Sequence, residues 1–180
     1  MAGETDPGLA AILGHTVTWL SEHGARTELL ARLRRRRGLL GLTGGSSLVP
    51  QARAWRLGVL LLDVDGRLYT GGTVTRSVEP RHPNYQSVSG EERRELRRMA
   101  FESGLPAGEV VTVDPEELPL DRDSLARGSG PLSLDGDRVV VSWAPGQRSV
   151  DLSRYLDERA RLLRQRDGWD DGTADTIDGA

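Results

Sequence analysis

The loop Glu79-Pro-Arg-His-Pro-Asn-Tyr-Gln-Ser87 gathers an acid, a guanidinium, an imidazole, an amide and a phenol within nine residues. Functional side chains favour loops held on rigid elements, and this loop joins a predicted strand to a predicted helix start. Arg76 and Arg81 suit a carboxylate or a phosphate, which guanidinium groups grip through paired hydrogen bonds. His82 changes charge near neutral pH and could carry a proton. Asn84 and Tyr85 add neutral donors and acceptors, and free amides at the helix start near Ser89 favour an anionic group. Arg76, Arg81, His82, Asn84 and Tyr85 are therefore the candidate binding residues. The plainer alternative is a surface loop stiffened by Pro80 and Pro83. No residue is assigned a catalytic role. His15, His23 and His82 lack ligand spacing, so neither metal nor cofactor is expected.

A second feature is the arginine run Arg32, Arg34, Arg35, Arg36 and Arg37. The spacing of Leu29, Leu30 and Leu33 predicts a helix from about Arg26 to Arg37, whose end these charges complement. They form either a solvated helix end or a patch for an anionic partner: an acidic protein, nucleic acid, a membrane surface or the chain's own acidic tail. Only 4% of the residues are aromatic, so platforms for base stacking are scarce. The Gly41–Ser47 segment that follows lacks the lysine of a phosphate-binding loop and reads as a flexible linker. The acidic pairs Glu91-Glu92 and Glu116-Glu117 read as capping or solubility features.

Composition removes several chemistries. All 24 basic residues are arginine, which excludes a lysine base, a Schiff base or a phosphate-clamping lysine. There is no cysteine, hence no disulfide, thiolate metal site or thiol nucleophile. No apolar run is long enough to span a membrane and the N-terminus has no signal-peptide pattern, so a cytoplasmic protein is expected. Residues 1–60 carry eight Arg against four acids, whereas the chain as a whole has a net charge of −3.

The elements that must position these residues are legible as local patterns. Asp6-Pro7 predicts a helix start, and Leu9, Ile12, Leu13 and Leu20 its buried stripe. With the second helix this gives an N-terminal helical hairpin. Trp55–Asp63 predicts a strand, Val64-Asp65-Gly66 a turn, and Arg67–Arg76 the returning strand. Ser89 and Glu92 form a capping box for a helix that Gly104 ends. Val110–Val113 predicts a strand and Asp121–Arg127 a short helix. A second hairpin turns at Asp135-Gly136, and a last helix covers Asp151–Arg166. The expected fold is α+β, with a mostly antiparallel sheet of four to five strands covered by helices. The expected organisation is a helical segment over 1–40, one α+β domain over 50–166, and a disordered acidic tail over 167–180.

Two family resemblances follow. Arg97-Arg-Met-Ala-Phe-Glu-Ser-Gly-Leu105 distantly resembles the end of the Nudix hydrolase box: Glu102, Gly104 and Leu105 fit, while Arg98 and Phe101 stand at the metal-binding and catalytic glutamates. That resemblance implies a degenerate, non-hydrolytic domain. Trp55-Arg-Leu-Gly-Val-Leu-Leu-Leu62, the Glu91-to-Gly104 helix with Val110-Val-Thr-Val113, and the Tyr155-Leu-Asp-Glu158 helix are together similar to a small family of actinobacterial proteins often labelled glutaminase. This one implies a small-ligand-binding protein or hydrolysis of the glutamine amide, for which His82 with Ser87 or Ser89 is the nearby serine–histidine pair. The residues themselves favour a binding or interaction module.

Overall fold

A computed structural model describes residues 6–35, 45–79, 88–143 and 148–174. The chain is α+β. In order, its elements are α1 (Pro7–Glu22), β1 (Glu28–Arg35), β2 (Ser46–Leu57), β3 (Leu60–Asp63), β4 (Leu68–Thr70), β5 (Thr73–Arg76), α2 (Val88–Glu102), β6 (Val110–Val113), β7 (Glu116–Glu117), α3 (Arg122–Arg127), β8 (Leu132–Asp135), β9 (Arg138–Val141), β10 (Val150–Asp151) and α4 (Leu152–Ala174). Seven strands hydrogen-bond in the order β5-β6-β1-β2-β3-β4-β7, and three more in the order β10-β9-β8. The larger sheet is mixed, because β1 runs antiparallel to β2 but parallel to β6. Seven strands stand in place of the four to five expected, and the pairing is mostly antiparallel, as expected, with the β1–β6 pair parallel.

Described residues fall into two compact units. One comprises residues 1–27, 55–70 and 117–180; the other comprises 28–54 and 71–116.

In the first unit, Asp6 caps α1 by accepting the amides of Gly8 (2.9 Å) and Leu9 (3.2 Å), a contribution of about 1 kcal/mol. The buried stripe of α1 is Leu9, Leu13, Thr16 and Leu20. It joins Leu57, Leu60, Leu62, Leu68, Leu125, Leu132, Leu152 and Leu156 in one core, each leucine worth about 1.5–3 kcal/mol when fully buried. The strand expected over Trp55–Asp63 is broken at Gly58-Val59, where Gly58 has φ +66°. The tyrosine hydroxyl of Tyr155 accepts the Val59 amide (3.0 Å) and donates to the Leu57 carbonyl (3.1 Å), so a side chain of α4 closes that turn. At the next turn the buried Asp63 carboxylate accepts the amides of Asp65 (3.0 Å) and Arg67 (2.8 Å) and the hydroxyl of Tyr69 (3.0 Å). Helix α4 runs to Ala174, past the boundary expected at Arg166. Asp167, assigned from the sequence to the tail, is buried and accepts the Arg26 amide at 2.9 Å. Residues 175–180 lie outside the described residues.

In the second unit, Glu28–Arg35 is a strand and not a helix, so the N-terminal helical hairpin does not form. β1 pairs with β2 through a bulge between Leu30 and Ala31, after which Ala31 faces Pro50 and Leu33 faces Leu48. Leu29, Ala31, Leu48, Val111 and Val113 pack with Ala100 and Leu105, and with the half-buried Leu33, Leu96 and Met99 of the sheet and α2. The returning strand expected over 67–76 divides into β4 and β5 at Gly71-Gly72, both with positive φ. A Cβ at Gly72 would lie 2.7 Å from the Thr112 methyl and 2.9 Å from the Val113 carbonyl, so only glycine fits there. Ser46 and Ser47, read from the sequence as linker, begin β2.

Candidate functional site

The helix α2 forms where Leu96, Met99 and Ala100 recur on one face, and it ends as expected. Gly104 takes φ +75°, and the Leu105 amide reaches back to the Ala100 carbonyl at 3.3 Å. Just beyond the last turn, the Ser103 hydroxyl accepts the Leu48 amide of β2 at 2.8 Å, which pins this end of the helix to the sheet.

Away from that apolar stripe, Arg98 bridges two carboxylates. Its Nη1 lies 2.8 Å from both oxygens of Glu102, and its Nε 3.0 Å from Glu95 Oε2. The spacings are i,i+3 and i,i+4, which face each other on a helix. Hydrogen bonds donated to Glu95 and then to Glu102 raise the guanidinium pKa, and Arg98 in turn holds the Glu95 carboxyl below its ordinary value. A cation therefore occupies the ground between the carboxylates that a divalent metal would need.

The arginine run lies on β1. Arg32, Arg34 and Arg35 are exposed, and among the described residues none of the three makes an ion pair. Arg36 and Arg37 lie outside the described residues. β6 pairs with β1 only as far as Ala31. Beyond it Asp114, at φ +52°, turns the chain, and its Oδ1 accepts the Leu33 amide at 3.0 Å. The stretch Arg32–Arg35 thus continues as a two-stranded ribbon with Ser46–Val49.

Of the loop candidates, Arg76 is described and exposed at the end of β5, where its Nη1 donates to the Gly108 carbonyl at 3.2 Å. Arg81, His82, Asn84 and Tyr85 lie outside the described residues. Beside Arg76, Ser77 is fully buried. Its hydroxyl donates to the Leu105 carbonyl (3.0 Å) and its carbonyl accepts the Gly108 amide (2.7 Å), so the strand end is fixed.

Sequence reasoning missed one polar pair. Glu28 and Thr112 are both buried, and the Thr112 hydroxyl donates to Glu28 Oε1. They are 84 residues apart, on β1 and β6, and no local signal marks either. The two described histidines lie on or just after α1. His23 stacks on Trp19 with ring centroids 4.1 Å apart. His15 lines a cleft of about 130 Å³ between α1 and α4 with Trp19, Asp157 and Arg161.

Among the described residues no helix is long and apolar enough to cross a membrane, and no group of three or more His, Asp or Glu is arranged to hold a metal. No family model, curated protein or solved structure matches the chain.

Proposed function

We propose that this chain is a binding module with an anionic partner, in which Arg97–Leu105 resembles the end of a Nudix box without its catalytic carboxylates. The observation that carries the reading is the Arg98 bridge between Glu95 and Glu102. A Nudix hydrolase needs clustered carboxylates to hold Mg²⁺ against a diphosphate. Here Arg98 supplies a positive charge at one of those positions and Phe101 an apolar ring at another. Glu102, the box carboxylate that remains, already has a cationic partner. The exposed arginines of β1 supply the complementary half of the reading, a surface that attracts an acidic protein or nucleic acid.

The test is a turnover assay of the full chain with nucleoside diphosphate derivatives and with glutamine, in the presence of Mg²⁺ or Mn²⁺, beside calorimetric titration of the metals alone. The reading expects no phosphate or ammonia release and no metal heat that depends on Glu102. Release of phosphate that Glu102→Gln abolishes would restore a hydrolase. Release of ammonia from glutamine would restore the amide-hydrolase alternative.

A further inference from the structure

From Leu29 to Leu62 the chain contains seven arginines and no Asp or Glu, within a protein of net charge −3. This acid-free stretch builds the last part of β1 and all of β2. Arg53 is already engaged, pairing with Glu109 at 3.0 Å. Arg32, Arg34 and Arg35 stand on the ribbon with exposed side chains and no ion pair among the described residues. Strand alternation places Arg32 and Arg34 on one face, about 6.6 Å apart along the strand, with Leu33 turned to the opposite, core-facing side. Ser47 lies directly across from Arg34 and Ser46 across from Arg35, so hydroxyls flank the guanidinium groups.

Resting on the binding-module reading, we infer that the β1–β2 ribbon binds the sugar–phosphate backbone of double-stranded nucleic acid. Three features select this occupant. Charge is the only strong source of affinity on the ribbon face, whose one apolar member is the half-buried Val49. A protein partner would call for the aromatic and apolar anchors that mark protein interfaces. Residues 28–54 contain no Phe, Trp or Tyr, so the ribbon lacks the stacking surfaces on which single strands depend. A two-stranded ribbon also fits the major groove of a duplex, and guanidinium groups and hydroxyls are the usual phosphate contacts. Recognition of this kind is set by charge and shape and is indifferent to base sequence.

The experiment is fluorescence anisotropy of the full chain with a short labelled DNA duplex, its single strand, and polyglutamate, between about 50 and 200 mM salt. Duplex binding is expected to weaken linearly on a log–log plot. The slope should fall by about two in the Arg32→Gln/Arg34→Gln variant, one unit for each lost phosphate contact. Arg138→Gln, an exposed arginine of β9, should leave the slope unchanged. A circular dichroism melt matching the parent verifies that the double variant is folded. Tighter binding to polyglutamate would overturn the inference in favour of an acidic protein and leave the binding-module reading intact. Tighter binding to the single strand, an unchanged slope in the double variant, or no binding to any probe would each overturn it. Turnover in the assays above would instead defeat the binding-module reading whatever the duplex result.

Discussion

The carboxylate of Asp167 accepts the backbone amide of Arg26 at 2.9 Å, joining positions 141 residues apart. Asp167 is only 4% exposed, so the bond is made away from water, where an unpaired amide is costly. Asp167→Ala should lower stability by about 1–3 kcal/mol in chemical denaturation. Asp167→Asn, which keeps an acceptor oxygen, should cost less. A chain insensitive to both changes would mean that this part of α4 contributes nothing to the fold.

Tyr155 and Gly58 are coupled. A Cβ at Gly58 would lie 2.3 Å from the Tyr155 hydroxyl oxygen, and its φ of +66° already disfavours any other residue. Gly58→Ala should therefore cost more than about 2 kcal/mol. Tyr155→Phe should cost about 1–3 kcal/mol by leaving the Val59 amide and the Leu57 carbonyl unpaired. In the double variant the hydroxyl is gone and much of the clash with it, so the two costs should add to less than their sum. A double-mutant cycle measures the difference, and strict additivity would refute the coupling.

Tyr69 gives the chain an alkaline signature. Burial first, then its hydrogen bond to Asp63 and the negative charge of Asp63, push its pKa up from 10.0 to about 12. The unfolded chain therefore releases this proton at lower pH than the folded chain does. The stabilisation is fully present below pH 10 and is lost as pH rises through about 12. Melting temperature should fall across that window, and Tyr69→Phe should flatten the decline. An equal decline in the variant would show that another group is responsible.

Arg98 should matter electrostatically and little through packing, since it is solvent-exposed. Arg98→Glu would place three carboxylates along one helix face and lower the melting temperature, and added salt should recover part of the loss. The lowered pKa of Glu95 adds a sign. Its contribution is present above the ordinary carboxylate range and is lost as pH falls through the depressed value. Parent and variant should therefore converge in stability in acid. A gap that persists there would point to packing.

Elements announced by capping and turn residues were legible in the sequence. Asp6 accepts two helix amides, Asp121 accepts the Ser124 amide at 3.0 Å, Gly104 ends α2, and Asp135-Gly136 turns the second hairpin. Each signal acts within a few residues, where the chain interacts with itself. β1 was not legible. Glu28-Leu-Leu-Ala-Arg-Leu-Arg-Arg is made of good helix formers, and its leucines recur at helical spacing; pairing with β2 and β6 overrides both. The same limit divides the candidate site. The Glu95–Arg98–Glu102 bridge lies at spacings readable on a helix, whereas Glu28 and Thr112 meet only through the parallel pairing of distant strands.

The bulge at Leu30/Ala31 decides which β2 side chains share the arginine face of the ribbon. Up to Leu30 the partners keep one register, Glu28 with Ala54 and Leu30 with Ala52; beyond it they advance by one, so that Leu33 meets Leu48 and Arg34 meets Ser47. Were Gln51 paired with Ala31 and not bulged out, Leu48 would sit opposite Arg34, on the arginine face, and the core would lose a leucine that is 3% exposed. Frame is thus a property of this segment apart from composition. Deleting Gln51 would remove the bulge and leave these pairs in place, whereas one residue inserted between Leu48 and Val49 would set Leu48 opposite Arg34 and put an apolar side chain on the wettable stripe.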